Sequence, residues 1–412
     1  MKRHLIVLTV FAFVFAVVPS NAQNADSLKI KELEKRIEKL EQKQKESELQ
    51  KLINEAETAS KEKQPEKKTK VFKSGQRSLQ AINPEMSFTG EGYGQYSSNE
   101  SQTGSGGFYF RKLGLHIAGG LDPFSFMKAA VEFSPEGVEL GEAYITWTKF
   151  IPSISLTAGK FRQQFGVVNR WHVHAADQFD YPLALTTILG EDGLNQIGLS
   201  FDWLMPAITA DANELTLQIT NGQNEQLFAG STFSFPSVLA HLKNYYDINR
   251  NTYLELGLTG VIGNNLVKPL TAGTEDFHGK TVLGGADLTL SWEPVNQSLY
   301  HSFVWRSELY YADKEISSTE KIKVLGGYSY FEYRFNEWWQ AGFRFDYTQP
   351  FAANNSDLEM HQFVPYVTWW QSHWVRLRLQ YNYLDGNVID NPAGTLRLQM
   401  VFAVGPHKHD RY

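Results

Sequence analysis

The densest run of chemically capable side chains lies between residues 162 and 195, where Arg162, Arg170, His172, His174, Asp177, Asp180, Glu191 and Asp192 fall within one segment. Guanidinium and carboxylate groups brought together at a narrow point select ions by local field rather than by bond chemistry. His172 and His174, with Asp177 and Asp180 close by, also supply donor types that zinc accepts, and His407 and His409 form a second His-x-His. The spacing matches no tetrahedral zinc signature, so metal binding here is an expectation resting on His172 and His174 alone. As an ordinary polar connection the same residues would form a solvated lid.

Other chemistries find no foothold. The chain has no cysteine, which excludes disulfides, thiolate metal sites and cysteine nucleophiles. No Gly-x-Ser-x-Gly elbow, His-Glu-x-x-His helix or phosphate-cradling loop is present, and Glu191 and Asp192 sit together on a polar stretch rather than as a matched acid and base. No enzymatic activity and no cofactor are therefore expected. Charge is uneven along the chain: residues 26–73 carry 14 Lys and Arg against 11 Asp and Glu, which leaves the later part near −11. That balance opposes a nucleic-acid partner, which needs a basic face.

The elements that must hold the 162–195 segment are strands. From Met86 onward, short alternating runs rich in aromatic and β-branched residues are separated by Gly, Pro, Asn and Asp clusters. Leu113, Leu115 and Ile117 alternate with Gly114, His116 and Ala118, and Leu396, Leu398, Met400 and Phe402 alternate with Arg397, Gln399, Val401 and Ala403. Sixteen such segments occur, near 86–97, 108–118, 124–133, 141–149, 154–161, 196–204, 213–220, 237–246, 253–262, 281–291, 301–311, 322–334, 338–347, 358–370, 373–385 and 394–404. Tight links tend to alternate with long ones, and Tyr245, Tyr246, Trp292, Trp338, Trp339, Trp369, Trp370 and Trp374 crowd the tight ones. Short turns on one side, long loops on the other and aromatic rings at headgroup level predict an all-β chain, a transmembrane antiparallel β-barrel of about sixteen strands.

The N-terminal part reads differently. Lys2 and Arg3, an apolar run from Leu5 to Val18 and the Ser20-Asn21-Ala22 site predict a signal peptide over 1–22; the run is shorter than the roughly twenty residues a spanning helix needs. Residues 23–63 predict a short coiled-coil helix, with Ile30, Leu33, Ile37 and Leu40 spaced 3, 4, 3 as its seam. The seam lapses beyond Leu40, where Gln44 and Ser47 take its places, so a solvated single helix is the alternative. Residues 64–85 predict a linker, and 86–412 the barrel.

Over most of 84–412 the chain resembles the phosphate-selective porin O and P family. The likeness rests on Gly159-Lys160-Phe161-Arg162 with Phe165-Gly166, Asn221-Gly222, Gly285-Ala286-Asp287-Leu288 with Trp292 and Pro294, and Arg376-Leu377-Arg378-Leu379-Gln380-Tyr381-Asn382. Asn169-Arg170-Trp171-His172-Val173-His174, Tyr181-Pro182, Leu189-Gly190-Glu191-Asp192-Gly193-Leu194 and Gly405-Pro406-His407-Lys408 are similar to related porin-like outer-membrane proteins, some described as zinc-regulated. The resemblance implies a diffusion channel in the outer membrane of a diderm bacterium, surrounded by lipid and assembled as a homo-oligomer, a trimer being favoured. Its N-terminal helix would lie in the periplasm, reaching peptidoglycan or another envelope component. The 162–195 connection follows the fifth strand and is thus the third outer loop, which in general porins folds inward. Acidic balance ranks general or cation-tolerant diffusion above phosphate selectivity. Metal (zinc) uptake and a non-conducting tether or adhesin are the alternative functions.

Overall fold

A computed structural model describes residues 84–98, 106–224, 226–229, 236–267, 276–353 and 355–405. The signal peptide, the seam Ile30, Leu33, Ile37 and Leu40, and His407 and His409 lie outside the described residues.

Alternation with period two places successive side chains on opposite faces, and here it closes a cylinder. The strands are β1 (Glu85–Ser97), β2 (Gly106–Asp122), β3 (Ser125–Ser134), β4 (Gly137–Ile151), β5 (Ile154–Arg162), β6 (Asn195–Met205), β7 (Ala212–Thr220), β8 (Gln223–Asn224), β9 (Phe228–Ala229), β10 (Ser237–Asn249), β11 (Thr252–Val267), β12 (Phe277–Trp292), β13 (Ser302–Glu315), β14 (Lys321–Arg334), β15 (Trp339–Thr348), β16 (Met360–Ser372), β17 (Val375–Gly386) and β18 (Ala393–Val404). All except β8 and β9 form one closed antiparallel barrel, sealed by β1 against β18 with Phe88 opposite Val404. β8 and β9 make a separate two-stranded hairpin inside the connection from β7 to β10. Each of the sixteen segments marked in the sequence corresponds to one barrel strand. Several strands run further than the alternation showed, β11 to Val267 and β2 from Gly106 to Asp122, because glycine and asparagine pairs at those ends carry no apolar rhythm.

The outer face is apolar and uncovered: Leu258 is 62% exposed, Leu309 61% and Leu398 52%. A belt of that kind is costly in water and matches hydrocarbon. The inward residues of the same strands are polar and buried, among them Thr259 and Glu255 on β11, Arg306 and Glu308 on β13, and Arg378 and Gln380 on β17. Trp339 and Trp374, at the end of the tight turns, face outward as the girdle requires. Not all the rings expected there join it. Trp370 turns inward to donate from Nε1 to Gln340 Oε1 at 3.0 Å, and the Tyr245 hydroxyl lies 3.4 Å from Glu214 Oε2. Each neighbours an outward ring in sequence, and the pleat sends one of every adjacent pair to the lumen.

Candidate constriction site

The connection from β5 to β6, residues 163–194, folds into the lumen. Its apolar residues drive this: Phe165, Val167, Val168, Trp171, Leu185, Ile188 and Leu189 pack with Val261, Leu283, Tyr310, Val324, Tyr328 and Tyr330 of the inner wall in one buried cluster. A two-turn helix, α1 (Leu183–Leu189), presents Ala184, Leu185, Ile188 and Leu189 to that cluster and ends at Gly190, whose φ of 93° suits glycine. The neck of the loop is tied by Asn169. Its Nδ2 donates to the carbonyls of Gln163 (2.8 Å) and Leu194 (3.1 Å), and its Oδ1 accepts from the Leu194 amide (2.8 Å).

Polar attachments then fix the loop from opposite sides. On β13, Glu308 Oε1 accepts from the amides of Val167 (2.9 Å) and Val168 (3.0 Å) and from the Tyr328 hydroxyl (2.7 Å), while Oε2 accepts from the Tyr310 hydroxyl (2.6 Å). Gly166 makes this approach feasible: its φ is 60°, and a Cβ there would come 2.1 Å from Glu308 Oε2. The Arg306 guanidinium, also on β13, lies 4.5 Å from the centre of the Trp171 ring. The next residue, His172, reaches the other wall. Its Nδ1 is 3.1 Å from Glu132 Oε1 on β3 and its Nε2 2.8 Å from Glu142 Oε2 on β4. β3 and β13 are diametrically opposed in the barrel order, so Trp171 and His172 span the bore.

The remaining loop residues meet a bank of arginines. Asp180 Oδ1 and Oδ2 lie 3.3 Å from Arg344 and Arg397 respectively and accept from Gln380 and Asn382, each at 3.0 Å. Burial alone would raise the Asp180 carboxyl, but Arg344, Arg397 and Arg111 outweigh it and hold the group below the usual carboxylate range. Arg376 donates to the His174 carbonyl (2.6 Å), Arg378 to that of Ala176 (3.3 Å) and Arg111 to that of Phe179 (2.7 Å). Asp177 accepts from the Tyr330 hydroxyl (2.7 Å) and pairs with Arg306 (3.4 Å).

Of the residues expected from sequence, Arg170, His172, His174, Asp177 and Asp180 lie inside the barrel but against different walls: Arg170 in a cavity walled by β4 to β7, His172 on β3 and β4, Asp177 on β13 and β14, and Asp180 on β15, β17 and β18. Arg162 is buried at the loop's root, donating to the Asp192 carbonyl at 2.8 Å. Glu191 and Asp192 stand apart, exposed in the turn after α1. The rings of His116, His172 and His174 cluster with centroids 5.1 to 5.5 Å apart. Among the described residues, however, no group of three His, Asp or Glu side chains is arranged to hold a metal ion. Glu308, Arg306, Arg344 and Arg397 escaped the sequence reading; their signal, charges on the inward parity of a strand, marks many residues that have no such role.

Two cavities open in the lumen, of which the first borders the loop at Gln164 and Arg170. One of 320 Å³ is walled by β4 to β7, and another of 590 Å³ opens near the tight turns between β12 and β17, with Trp338, Trp370 and Arg334 in its lining.

No family model matches the chain. A curated protein of Aquifex aeolicus, described as uncharacterized, is 26% identical over 277 residues, 62% of this chain; the chain spans 56% of that relative's length. Solved structures share the fold. The outer membrane channel DcaP of Acinetobacter baumannii superposes with a TM-score of 0.55 at 12% identity, covering 80% of this chain and 99% of that one. The anion-selective porin of Comamonas acidovorans gives 0.54 at 10%, covering 78% and 100%. OmpT of Vibrio cholerae in a trimer form gives 0.53 at 11%, covering 78% and 99%. At such identities the likeness carries the architecture: this chain has the fold of outer-membrane porins.

Proposed function

We propose that this protein is a non-enzymatic outer-membrane channel for passive diffusion of small hydrophilic solutes, its bore narrowed by the third loop. The observation that carries the reading is the span made by Trp171 on Arg306 and His172 on Glu132 and Glu142, which sets a charged constriction across an otherwise polar lumen. The barrel supplies an apolar exterior and the loop decides what passes. Homo-oligomerisation, with a trimer favoured, fits the trimer form of the Vibrio cholerae protein. A periplasmic N-terminal helix that associates with its own copies or with an envelope component completes the proposal.

Phosphate selectivity is not part of this reading. Selecting a dianion needs guanidinium or ammonium groups open to the path. Here Arg344, Arg376 and Arg378 donate to the loop's own carbonyls and side chains, and Asp180 neutralises Arg344 and Arg397. The test is single-channel recording of purified, folded protein in a planar bilayer. Discrete, stable current steps are expected, and silence from folded protein would sink the proposal in favour of a closed envelope tether.

A further inference from the structure

The inner wall divides into arcs that the loop treats differently. From β11 to β14 the wall is packed under the loop, with apolar and tyrosine side chains against it and Arg306 and Glu308 of β13 tied to it. From β15 to β18, and on to β2, its arginines are committed to loop carbonyls and to Asp180. The arc from β4 to β7 instead faces the 320 Å³ cavity and lines it with hydroxyls, amides and carboxylates. Asp202 there accepts from the hydroxyls of Thr216 (2.8 Å) and Ser200 (3.3 Å), and Glu214 from that of Tyr245 (3.4 Å). Neither forms an ion pair among the described residues, whereas Glu142 in the same lining pairs with Lys128 at 3.2 Å. The loop's contribution to this cavity includes Arg170, whose guanidinium donates to Gln164 Oε1 at 2.7 Å.

A second observation comes from the neighbouring space. A cavity of 20 Å³ shares Gln164, Arg170 and Glu214 with the larger one and is lined also by His241. His241 is 2% exposed, and its Nδ1 is 2.8 Å from Thr259 Oγ1. Its Nε2 has no hydrogen-bonding partner among the described residues. A buried nitrogen of that kind is costly unless something polar visits it.

We infer that solutes cross the constriction along the β4 to β7 arc, between Arg170 and the carboxylates of Asp202 and Glu214, and that this arc gives the channel a preference for cations, both inorganic and ammonium-bearing. The inference rests on the channel reading above and names the part of the lumen that sets its selectivity. Glu142, Asp202 and Glu214 set three carboxylates in the lining against the guanidiniums of Arg162 and Arg170, so the path is net negative, and a low-dielectric wall strengthens the field felt by a passing ion.

The absence of cysteine makes the path directly addressable, because single cysteines react without background. Thr157→Cys and Ser155→Cys place a thiol in the cavity lining, and Thr395→Cys places one on β18 in the arc that the loop closes. A bulky, positively charged thiol reagent is expected to cut unit conductance of the first two by about half or more, since the adduct fills much of a site of this size. Thr395→Cys is expected to keep its conductance. Block at Thr395 with none at Thr157 or Ser155 overturns the route. Separately, Asp202→Asn with Glu214→Gln is expected to move the reversal potential in a KCl gradient towards chloride, and an unmoved potential overturns the assignment of selectivity. Absence of steps before any reagent is added overturns the channel reading itself and is thereby told apart from failure of the route.

Discussion

Removing the Glu308 side chain should free the loop while sparing the barrel. In the folded protein Glu308 Oε1 serves two loop amides, those of Val167 and Val168, and both of its oxygens take phenol hydroxyls. Glu308→Ala strands both amides in a buried place. Each unsatisfied amide costs about 1–3 kcal/mol, so the two favour detachment by about 2–6 kcal/mol. Even about 2 kcal/mol multiplies the population of the locally opened loop by roughly thirty. The barrel ladder does not depend on this carboxylate, because β13 pairs with β12 and β14 through its backbone. Tryptic cleavage after Arg170, which lies in a short helical turn packed inside the barrel, reports the opening. Glu308→Ala is expected to be cut at least about thirtyfold faster than the unaltered protein where opening limits cleavage, and its single channels to be larger. Glu308→Gln, which keeps an acceptor oxygen, should fall between the two. A folded Glu308→Ala barrel cut at the original rate and conducting as before would refute the claim that this contact holds the loop.

Other outcomes follow from the same contacts. Asn169→Ala removes three neck hydrogen bonds and is expected to speed cleavage at Arg170 without unfolding the barrel, whereas equal rates would show the neck to be held otherwise. Gly166→Ala puts a Cβ at 2.1 Å from Glu308 Oε2 at a φ of 60°, so it should resemble Glu308→Ala in cleavage and conductance. Asp180 has its carboxyl depressed, so its anchoring is fully present above the ordinary value of 3.8 and is lost only as pH falls through the lower folded value. The conductance difference between Asp180→Asn and the unaltered protein should therefore be constant from neutral pH down to that value and shrink below it; shrinkage at higher pH contradicts the assignment. Leu258→Arg, on the outward face of β11, should lower barrel stability in lipid by about 2–4 kcal/mol if it sits near the bilayer midplane, read from denaturant unfolding. An unchanged midpoint would place that face against protein.

The barrel was legible because its determinant is periodic. Leu113, Leu115 and Ile117 repeat with the pleat, and a repeat of two on one face needs no knowledge of partners. The alternation said less where both faces lose contrast, as at Gly119 and Gly120 of β2 or Asn264 and Asn265 of β11, where the strands continue past their apparent ends. The loop was legible in part. Its length and position after the fifth strand marked it, but Asp180 gave no sign that it would meet Arg344 and Arg397, residues brought near only by closure of the cylinder. Glu191 and Asp192 show the opposite error. Their charge matched a constriction, yet the turn after α1 leaves them exposed, because the apolar face of the helix and not its acidic end is drawn to the wall. The Trp370 ring likewise shared a dipeptide with an outward tryptophan, and only the register told them apart.

The most direct test of a loop-narrowed diffusion channel compares unit conductance of the unaltered protein with that of a barrel in which residues 165–190 are replaced by a short Gly-Ser link. The account predicts that both conduct and that the shortened protein gives the larger step with weaker ion preference. Equal steps from two folded proteins would contradict it, by showing that the third loop does not set the bore.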